Sequence, residues 1–431
     1  MKVSPRRNLF HKEEQDFSPY RLILWLVLIL VGVYLIYGLY VTEEIEPIFA
    51  PTPLPTRTAY SHQLEGEALY LAGDLPGAIQ AYEQAIAMDP SNPQTLAELA
   101  RIQTYYSSLL TFEAKREMLA EALANIERAV ELDAFSSEAH AIRALVLDWN
   151  ASVADTEEQR QDLLAEASQA AVRAVQLDSQ NALAYAYQAE VLIDQLQWNQ
   201  ARQLAELAVE REPNLMDTHR VFAYVLEATG FYGQAIDEYK QAAEIAPNLT
   251  FLYISIGLNY RQLQFYDQAL EYFDKAASIN LDLGIKDPLP YVAIAKTYAR
   301  QGEYFAAARN AQRAIDLDPT DPDLYGQLGD IFFRARNFEG SIPVLRCAVS
   351  GCSADQNDQQ GIEVTGLPLT DASAPYYYLF ASVLSGLNQC EEAIPIMDQL
   401  TERYQDQDAE LAQIVMGIVE ESLLVCQSFN E

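Results

Sequence analysis

Four histidines, four cysteines and 62 carboxylates are the side chains of this 431-residue chain most able to do chemistry. Histidine is the commonest general base near neutral pH, and it needs a nucleophile or a metal within reach. His11 lies near the N-terminus, whereas His62, His140 and His219 occupy positions at which other segments place Tyr185, Tyr253, Tyr291, Tyr325 and Tyr377. A histidine that alternates with tyrosine reads as a packing residue, not as part of a triad. Cys347, Cys352, Cys390 and Cys426 cluster toward the C-terminal end with no histidine beside them, which disfavours a metal site. An even number is compatible with two disulfides in an oxidising compartment, for which three connectivities exist. Cys347 with Cys352, where Gly351 can break a helix, and Cys390 with Cys426 are the preferred pairs, and four buried or free thiols are the alternative. Carboxylate pairs such as Glu391 and Glu392 are what an acidic chain contains by composition. There is no glycine-rich phosphate loop, Cys-x-x-Cys pair or Gly-x-Ser-x-Gly elbow. The expectation is a protein without catalysis, cofactor or metal.

Lys and Arg total 28 against 62 Asp and Glu, a formal charge of -34. Such a surface repels phosphate backbones and anionic headgroups, so nucleic acid is not an expected partner. Like-charge repulsion also keeps a long chain dispersed.

Residues 22–41 are twenty uncharged, mostly apolar residues. A bilayer-spanning helix needs about 20 such residues. The block is too long for the apolar region of a cleaved signal peptide, and no small-x-small cleavage site follows before Pro51. Lys2, Arg6, Arg7, Lys12 and Arg21 precede it, and Glu43, Glu44 and Glu46 follow it. The positive-inside rule then leaves 1–21 as a cytoplasmic tail and puts everything beyond 41 across the membrane. Trp25, Tyr34, Tyr37 and Tyr40 fit interfacial anchors. Pro47, Pro51, Pro53 and Pro55 favour an extended stalk over 42–58.

From Ala59 the chain becomes Ala-rich and helical in pattern, and it repeats itself. Ala189, Ala201, Ala208 and Pro213 recur 34 residues later as Ala223, Ala235, Ala242 and Pro247. The register continues through Gly257, Tyr260, Tyr266, Ala269, Phe273 and Ala276, slips by four around Gly284 and resumes with Ala295, Tyr298, Gly302, Tyr304, Ala307, Ala314 and Pro319. Gly329, Phe332, Phe338, Leu345 and Ala348 continue it, and 59–92 matches through Gly66, Leu69, Gly73, Ala78, Tyr82, Ala85 and Pro90. This pattern resembles the tetratricopeptide repeat, a 34-residue helix-turn-helix unit with small residues at its helix crossings, aromatics beside them and a proline at its exit. The resemblance implies an all-α solenoid of about nine hairpins over 59–406, closed by a C-terminal capping helix over 407–431 and preceded by the one transmembrane helix.

Two hairpins are lengthened, because about ten extra residues separate Ala100 from Ala122 and about eleven separate Ala144 from Ala167. Their Glu, Lys, Arg, Leu and Ala content predicts longer helices that project a ridge. The insertion at 353–373 is polar and aperiodic, so it is a long loop. Asp355, Asn357 and Asp358 suggest calcium, but Gly361 falls one place late and no glutamate supplies the bidentate ligand. Asn150 and Asn248 begin glycosylation sequons.

The resemblance further implies that the first helices of successive hairpins line a concave groove. By register, the groove residues of the middle hairpins include Arg220, Tyr224, Arg261, Gln262, Lys296, Arg300, Phe333 and Arg334. Five cations and two aromatics in an acidic protein would suit a peptide with acidic segments or a C-terminal carboxylate. Ion pairs with neighbours such as Glu227 and Asp330 are the competing expectation. Lys296 and Arg300 have the spacing of one pair used by the carboxylate-clamping subfamily but fall elsewhere in the repeat, and the asparagines of that clamp are missing. The expected function is a membrane-tethered scaffold or assembly factor that binds protein partners through an extracytoplasmic groove. The alternative is a regulatory or sensor subunit of an envelope complex that signals through its short cytoplasmic tail.

Overall fold

Helices in this chain start where a short polar side chain can satisfy the first free backbone amides. In the computed structural model, which describes residues 18–40, 57–110, 112–357, 360–407 and 409–428, Thr58, Asp74, Asn92, Ser136, Thr156, Asn181 and Asp321 all accept such a bond. Twenty helices result among the described residues. The first, α1 (Pro19–Tyr40), belongs to a unit of residues 1–57, and the others form a second unit from Thr58 onward. Every residue of α1 from Leu22 to Ile36 is apolar, and nearly all are exposed around the whole helix. A helix apolar on all sides has no single face to bury. The rest of the expected tail and stalk, 1–17 and 41–56, lies outside the described residues.

The second unit is a run of nine helical hairpins and a final helix. The hairpins are α2 (Ala59–Leu71) with α3 (Leu75–Met88), α4 (Pro93–Ser107) with α5 (Phe112–Leu132), and α6 (Ser137–Ala151) with α7 (Glu157–Leu177). They continue with α8 (Ala182–Asp194) and α9 (Trp198–Arg211), α10 (Met216–Ala228) and α11 (Tyr232–Ile245), and α12 (Thr250–Gln262) and α13 (Tyr266–Leu283). The last three are α14 (Leu289–Gln301) with α15 (Tyr304–Leu317), α16 (Pro322–Arg334) with α17 (Phe338–Val349), and α18 (Ala374–Gly386) with α19 (Cys390–Tyr404). The final helix is α20 (Glu410–Ser428). It is long and apolar enough to cross a membrane, yet Ala412, Val415, Val419 and Cys426 bury one face in the core formed with α18 and α19. It caps the array.

In the first, sixth and eighth hairpins the crossing leaves no room for a side chain on the first helix. A Cβ on Gly66 would stand 2.5 Å from the Tyr82 ring, one on Gly257 2.4 Å from Phe273, and one on Gly329 2.5 Å from Leu345. These are the small and large positions that recur in the sequence, so the repeat is a record of that contact. Between the two helices the chain makes a left-handed turn, occupied by Gly73, Gly230 and Gly302 in some hairpins and by Leu196, Gln264, Arg336 and Asn388 in others. The two sequence insertions lengthen α5 and α7 to 21 residues each, against 14 for α3, α9 and α11. The slip near Gly284 extends α13 to 18 residues.

His140 and His219 do what tyrosines at the same position do. The hydroxyls of Tyr185, Tyr253 and Tyr325 donate to the carbonyls of Ser179, Pro247 and Pro319, at 3.2, 2.8 and 2.9 Å. Nε2 of His219 donates to Pro213 O at 2.9 Å, and Nε2 of His140 to Ala134 O at 3.1 Å, because a carbonyl can only accept. Each bond ties a first helix to the exit of the hairpin before it. The loop over 353–373 is also tied down: Nδ2 of the buried Asn357 donates to Tyr325 Oη at 3.0 Å, and Cys352 pairs with Val364 in an isolated antiparallel bridge. The four cysteines pair as Cys347–Cys352 and Cys390–Cys426.

Two expectations follow. Gly257→Ala drives a methyl into the Phe273 ring and should lower stability by about 1–3 kcal/mol, with partial recovery when Phe273→Leu is added; an unchanged urea midpoint would show that the crossing has slack. His219 donates through Nε2 and lies 2.6 Å from Glu238 through Nδ1, a pairing that requires the imidazolium and that raises its pKa above 6.5 against the effect of burial. A raised folded-state value means that the pair stabilises most at pH values below the unfolded pKa, and that this is lost as pH rises through the folded value. The stability difference between wild type and His219→Phe, measured by urea unfolding, should therefore be larger at about pH 6 than at about pH 8.5, and the difference from His219→Tyr, which does not titrate in that window either, should show the same trend.

Candidate functional site

In a helical-hairpin array the inner face belongs to the first helices, and here those helices meet far along the chain. Asp217 of α10 is 1% exposed, and its carboxylate accepts from the hydroxyls of Tyr105 on α4 and Tyr187 on α8, the latter at 2.7 Å. Arg101 of α4 reaches the same carboxylate at 3.1 Å while holding Glu98 at 2.7 Å. The ring of Tyr105 stacks on Phe251 of α12 with centroids 5.6 Å apart. Gly73, in the turn of the first hairpin at φ 84°, sits so close to the Asn248 carbonyl that a Cβ would lie 2.4 Å from it. The second hairpin thus touches the fifth and sixth, and the first touches the turn before α12. The inner face of the N-terminal half is filled by its own side chains.

This divides the eight groove residues expected from register. Arg220 does not line an open groove: it is 5% exposed and binds both oxygens of Glu190, at 2.9 and 2.6 Å. Tyr224 donates to Asp194 at 2.7 Å. Neither partner is Glu227, which instead accepts from Tyr239 and Asn259. Arg334 is paired with Asp330 at 2.7 Å, and Phe333 packs edge-on to Phe338 with centroids 5.5 Å apart. Gln262 is exposed. Arg261, half-buried on α12, donates weakly to Ala293 O at 3.4 Å, and Lys296 and Arg300 stand exposed on one face of α14. Burial and then the Arg300 charge lower the pKa of Arg261. Partial desolvation lowers that of Lys296, with Asp323 and Asp330 opposing and Arg261 adding to the effect. The three cations therefore sense one another.

Beside the closure lies a cavity of about 350 Å³ lined from the ends of α4, α6 and α8 and from α10, α11 and α12. Asp148, Glu190, Asp194, Arg220 and Lys115 of α5 supply its charge, and Trp149, Tyr224, Tyr239 and Phe251 its aromatic walls. Among the described residues no group of three or more His, Cys, Asp and Glu is arranged to hold a metal ion.

Profiles of the tetratricopeptide repeat match residues 66–103, 252–283 and 292–357. The chain carries tetratricopeptide repeats over these three stretches. A curated relative is the BBSome complex member BBS4 of Bos taurus, 22% identical over 169 residues, a match covering 38% of this chain and 31% of that protein. The match spans about a third of that relative's length. Among solved structures, a thermophilic tetratricopeptide protein of Thermus thermophilus aligns at 19% identity and TM-score 0.39, over 47% of this chain and 98% of its own. The human IFIT1 dimer with m7Gppp-AAAA aligns at 16% identity and TM-score 0.47, over 82% of this chain and 92% of its own.

Register within the tetratricopeptide unit finds which residues face inward but not which of them meet. Asp148, Trp149, Glu190, Asp194 and Asp217 were not among the residues singled out in the sequence, although the carboxylates carry a signal: charged groups on inward faces near Arg220, where solvent is excluded. Both sequon asparagines are engaged as well, Asn150 with the carbonyls of Leu119 and Val146 at 3.0 and 2.8 Å, and Asn248 with Leu71 O at 3.5 Å. Asp217→Ala removes the acceptor shared by α4, α8 and α10. It should cost about 3 kcal/mol and enlarge the radius of gyration in solution scattering; a variant as compact as wild type would show that other contacts close the array.

Proposed function

We propose that this chain is a membrane-tethered scaffold whose tetratricopeptide solenoid stands outside the cytoplasm and holds an acidic segment of a protein partner. Tetratricopeptide arrays bind proteins through the inner faces of their first helices, and here the N-terminal half of that face is occupied by the protein itself. The observation that carries the reading is the patch that remains. Arg261, Lys296 and Arg300 make no ion pair among the described residues, in a chain of net charge -34 that pairs Arg101, Arg220 and Arg346 with carboxylates. Three cations left adjacent, two of them with lowered pKa, are stabilised by an incoming anion. Guanidinium groups suit a carboxylate partner by bidentate pairing.

Tethering is supported by α1, which is apolar around its circumference and flanked on its N-terminal side by Lys2, Arg6, Arg7, Lys12 and Arg21. The two disulfides suit an oxidising compartment. The bovine relative, by its name a member of a multiprotein complex, supports a role among protein partners. No step of chemistry is assigned.

The test uses the full chain in detergent and a fluorescent glutamate-rich peptide. Reversing Arg261, Lys296 and Arg300 together to Glu should weaken binding about tenfold or more and flatten its salt dependence, and unchanged affinity would remove the patch as the docking face. In intact cells an added protease should cut the solenoid; protection would overturn the orientation.

A further inference from the structure

The cavity beside the closure has a charge balance that the rest of the inner face lacks. Glu190 gives both oxygens to Arg220 and also accepts from Trp149 Nε1 at 3.0 Å, so that pair is complete. Asp194 accepts only a neutral hydroxyl, from Tyr224, and forms no ion pair among the described residues. Asp148, 2% exposed, lines the cavity, and its buried Oδ1 has no hydrogen-bond partner. Two cations of the lengthened helices also act here: Lys115 is part of the cavity lining, and the charge of Arg160 reaches both Asp148 and Asp194. Lys115 on α5 lies over the Trp149 ring, 5.9 Å from its centroid, and Arg160 on α7 is held by Glu157 at 2.9 Å. Neither forms an ion pair with Asp148 or Asp194. A buried carboxylate oxygen without a donor is costly, and a donor that reaches the carboxyl would relieve that cost.

We propose that this cavity binds a primary alkylammonium group, with its nitrogen between Asp148 and Asp194 and its methylenes against Trp149, Tyr239 and Phe251. An ammonium supplies up to three donors and a full positive charge, which matches one unpartnered oxygen and two carboxylates without an ion pair. Aromatic faces attract both the cation and its alkyl stem. A volume of about 350 Å³ admits a short-chain amine and no folded segment. Burial, with Asp194 and then Glu190 adding to it, pushes the Asp148 carboxyl well above the ordinary range, and Arg220 and Arg160 only partly oppose this. An ammonium among these groups reverses that push. The inference is independent of the cationic patch on α12 and α14, which has the opposite sign and different residues.

The same head group can arrive on a free diamine or on a lysine side chain of a bound protein, so the test has two arms. Full-length protein in detergent is titrated with 1,5-diaminopentane and, separately, with N-acetyl-lysine amide, by calorimetry and by tryptophan emission, with sodium chloride of matched ionic strength as control. Either amine should bind at one site, and Asp148→Asn, which keeps shape and removes charge, should weaken it by about tenfold or more. Binding of the diamine alone assigns a free amine, and binding of the lysine mimic assigns a partner's side chain. Arg261→Glu with Lys296→Glu and Arg300→Glu should leave amine binding intact, and Asp148→Asn should leave the acidic peptide bound, so the two readings fail separately. Absence of binding by both amines at millimolar concentration, or equal binding to wild type and Asp148→Asn, overturns the proposal; the second result would mark general attraction to an acidic chain.

Discussion

One buried carboxylate decides how this array is wound. A stack of hairpins that touch only their neighbours has stability close to a sum over interfaces, and nothing in it fixes a contact three hairpins away. Asp217 supplies such a contact by drawing Arg101, Tyr105 and Tyr187 onto a single side chain. Within a dry interior these bonds are stronger than in water, and each leaves a costly orphan if broken. Burial and then the charge of Asp217 raise the hydroxyls of Tyr105 and Tyr187 well above the usual tyrosine range, so both stay protonated donors over the whole physiological range. The closure is therefore a fixed feature of the fold, and it determines which part of the inner face is available to anything else.

What the sequence made legible and what it hid divide along the distance between contacting residues. The crossing of Gly66 with Tyr82, or Gly257 with Phe273, lies within one hairpin, so its small-and-large signature recurs at the repeat length and can be read. The exchange of His219 for tyrosine is legible for the same reason, since its carbonyl partner is six residues upstream. Arg220 was expected in an open groove, but it is buried on Glu190 of the preceding hairpin, and only the rotation between hairpins brings the two together. Arg101 and Asp217 are 116 residues apart. Their meeting depends on rotations accumulated over three hairpins, two of which contain the lengthened helices α5 and α7. A change of a few degrees per hairpin would open that gap, and no local pattern encodes it.

Charge shows why the inner face carries two regions of opposite sign. In a chain with 62 acidic and 28 basic residues, an average patch is negative, and among the described residues arginines such as Arg101, Arg143, Arg220 and Arg346 are paired with carboxylates. Arg261, Lys296 and Arg300 escape because α12 and α14 present them side by side, with only Asp323 and Asp330 acting on Lys296 from α16. Asp148 and Asp194 form no ion pair among the described residues, and Arg220 beside them gives its hydrogen bonds to Glu190. Exposed charges are screened within about 8 Å at physiological salt, whereas the buried carboxylates are screened far less. The two regions therefore differ in salt response as well as in sign.

The ends of a solenoid are its weakest parts, since a terminal hairpin lacks one neighbour and frays first. Here both ends are tied. At the N-terminal side the turn holding Gly73 packs on Asn248, and Arg101 and Tyr105 reach Asp217. At the C-terminal side the Cys390–Cys426 bridge joins α20 to α19 across 36 residues, a loop whose closure is worth about 4 kcal/mol in the chain-entropy picture. Arg346 on α17 adds a two-bond pair with Glu392, at 2.8 Å for each bond. The stretch between these ties, α12 to α16, is where the inner face carries cations with no partner of their own. Ligand-binding surfaces are drawn from regions that are held in place but not themselves filled, and in this chain that condition is met on α12, α14 and α16.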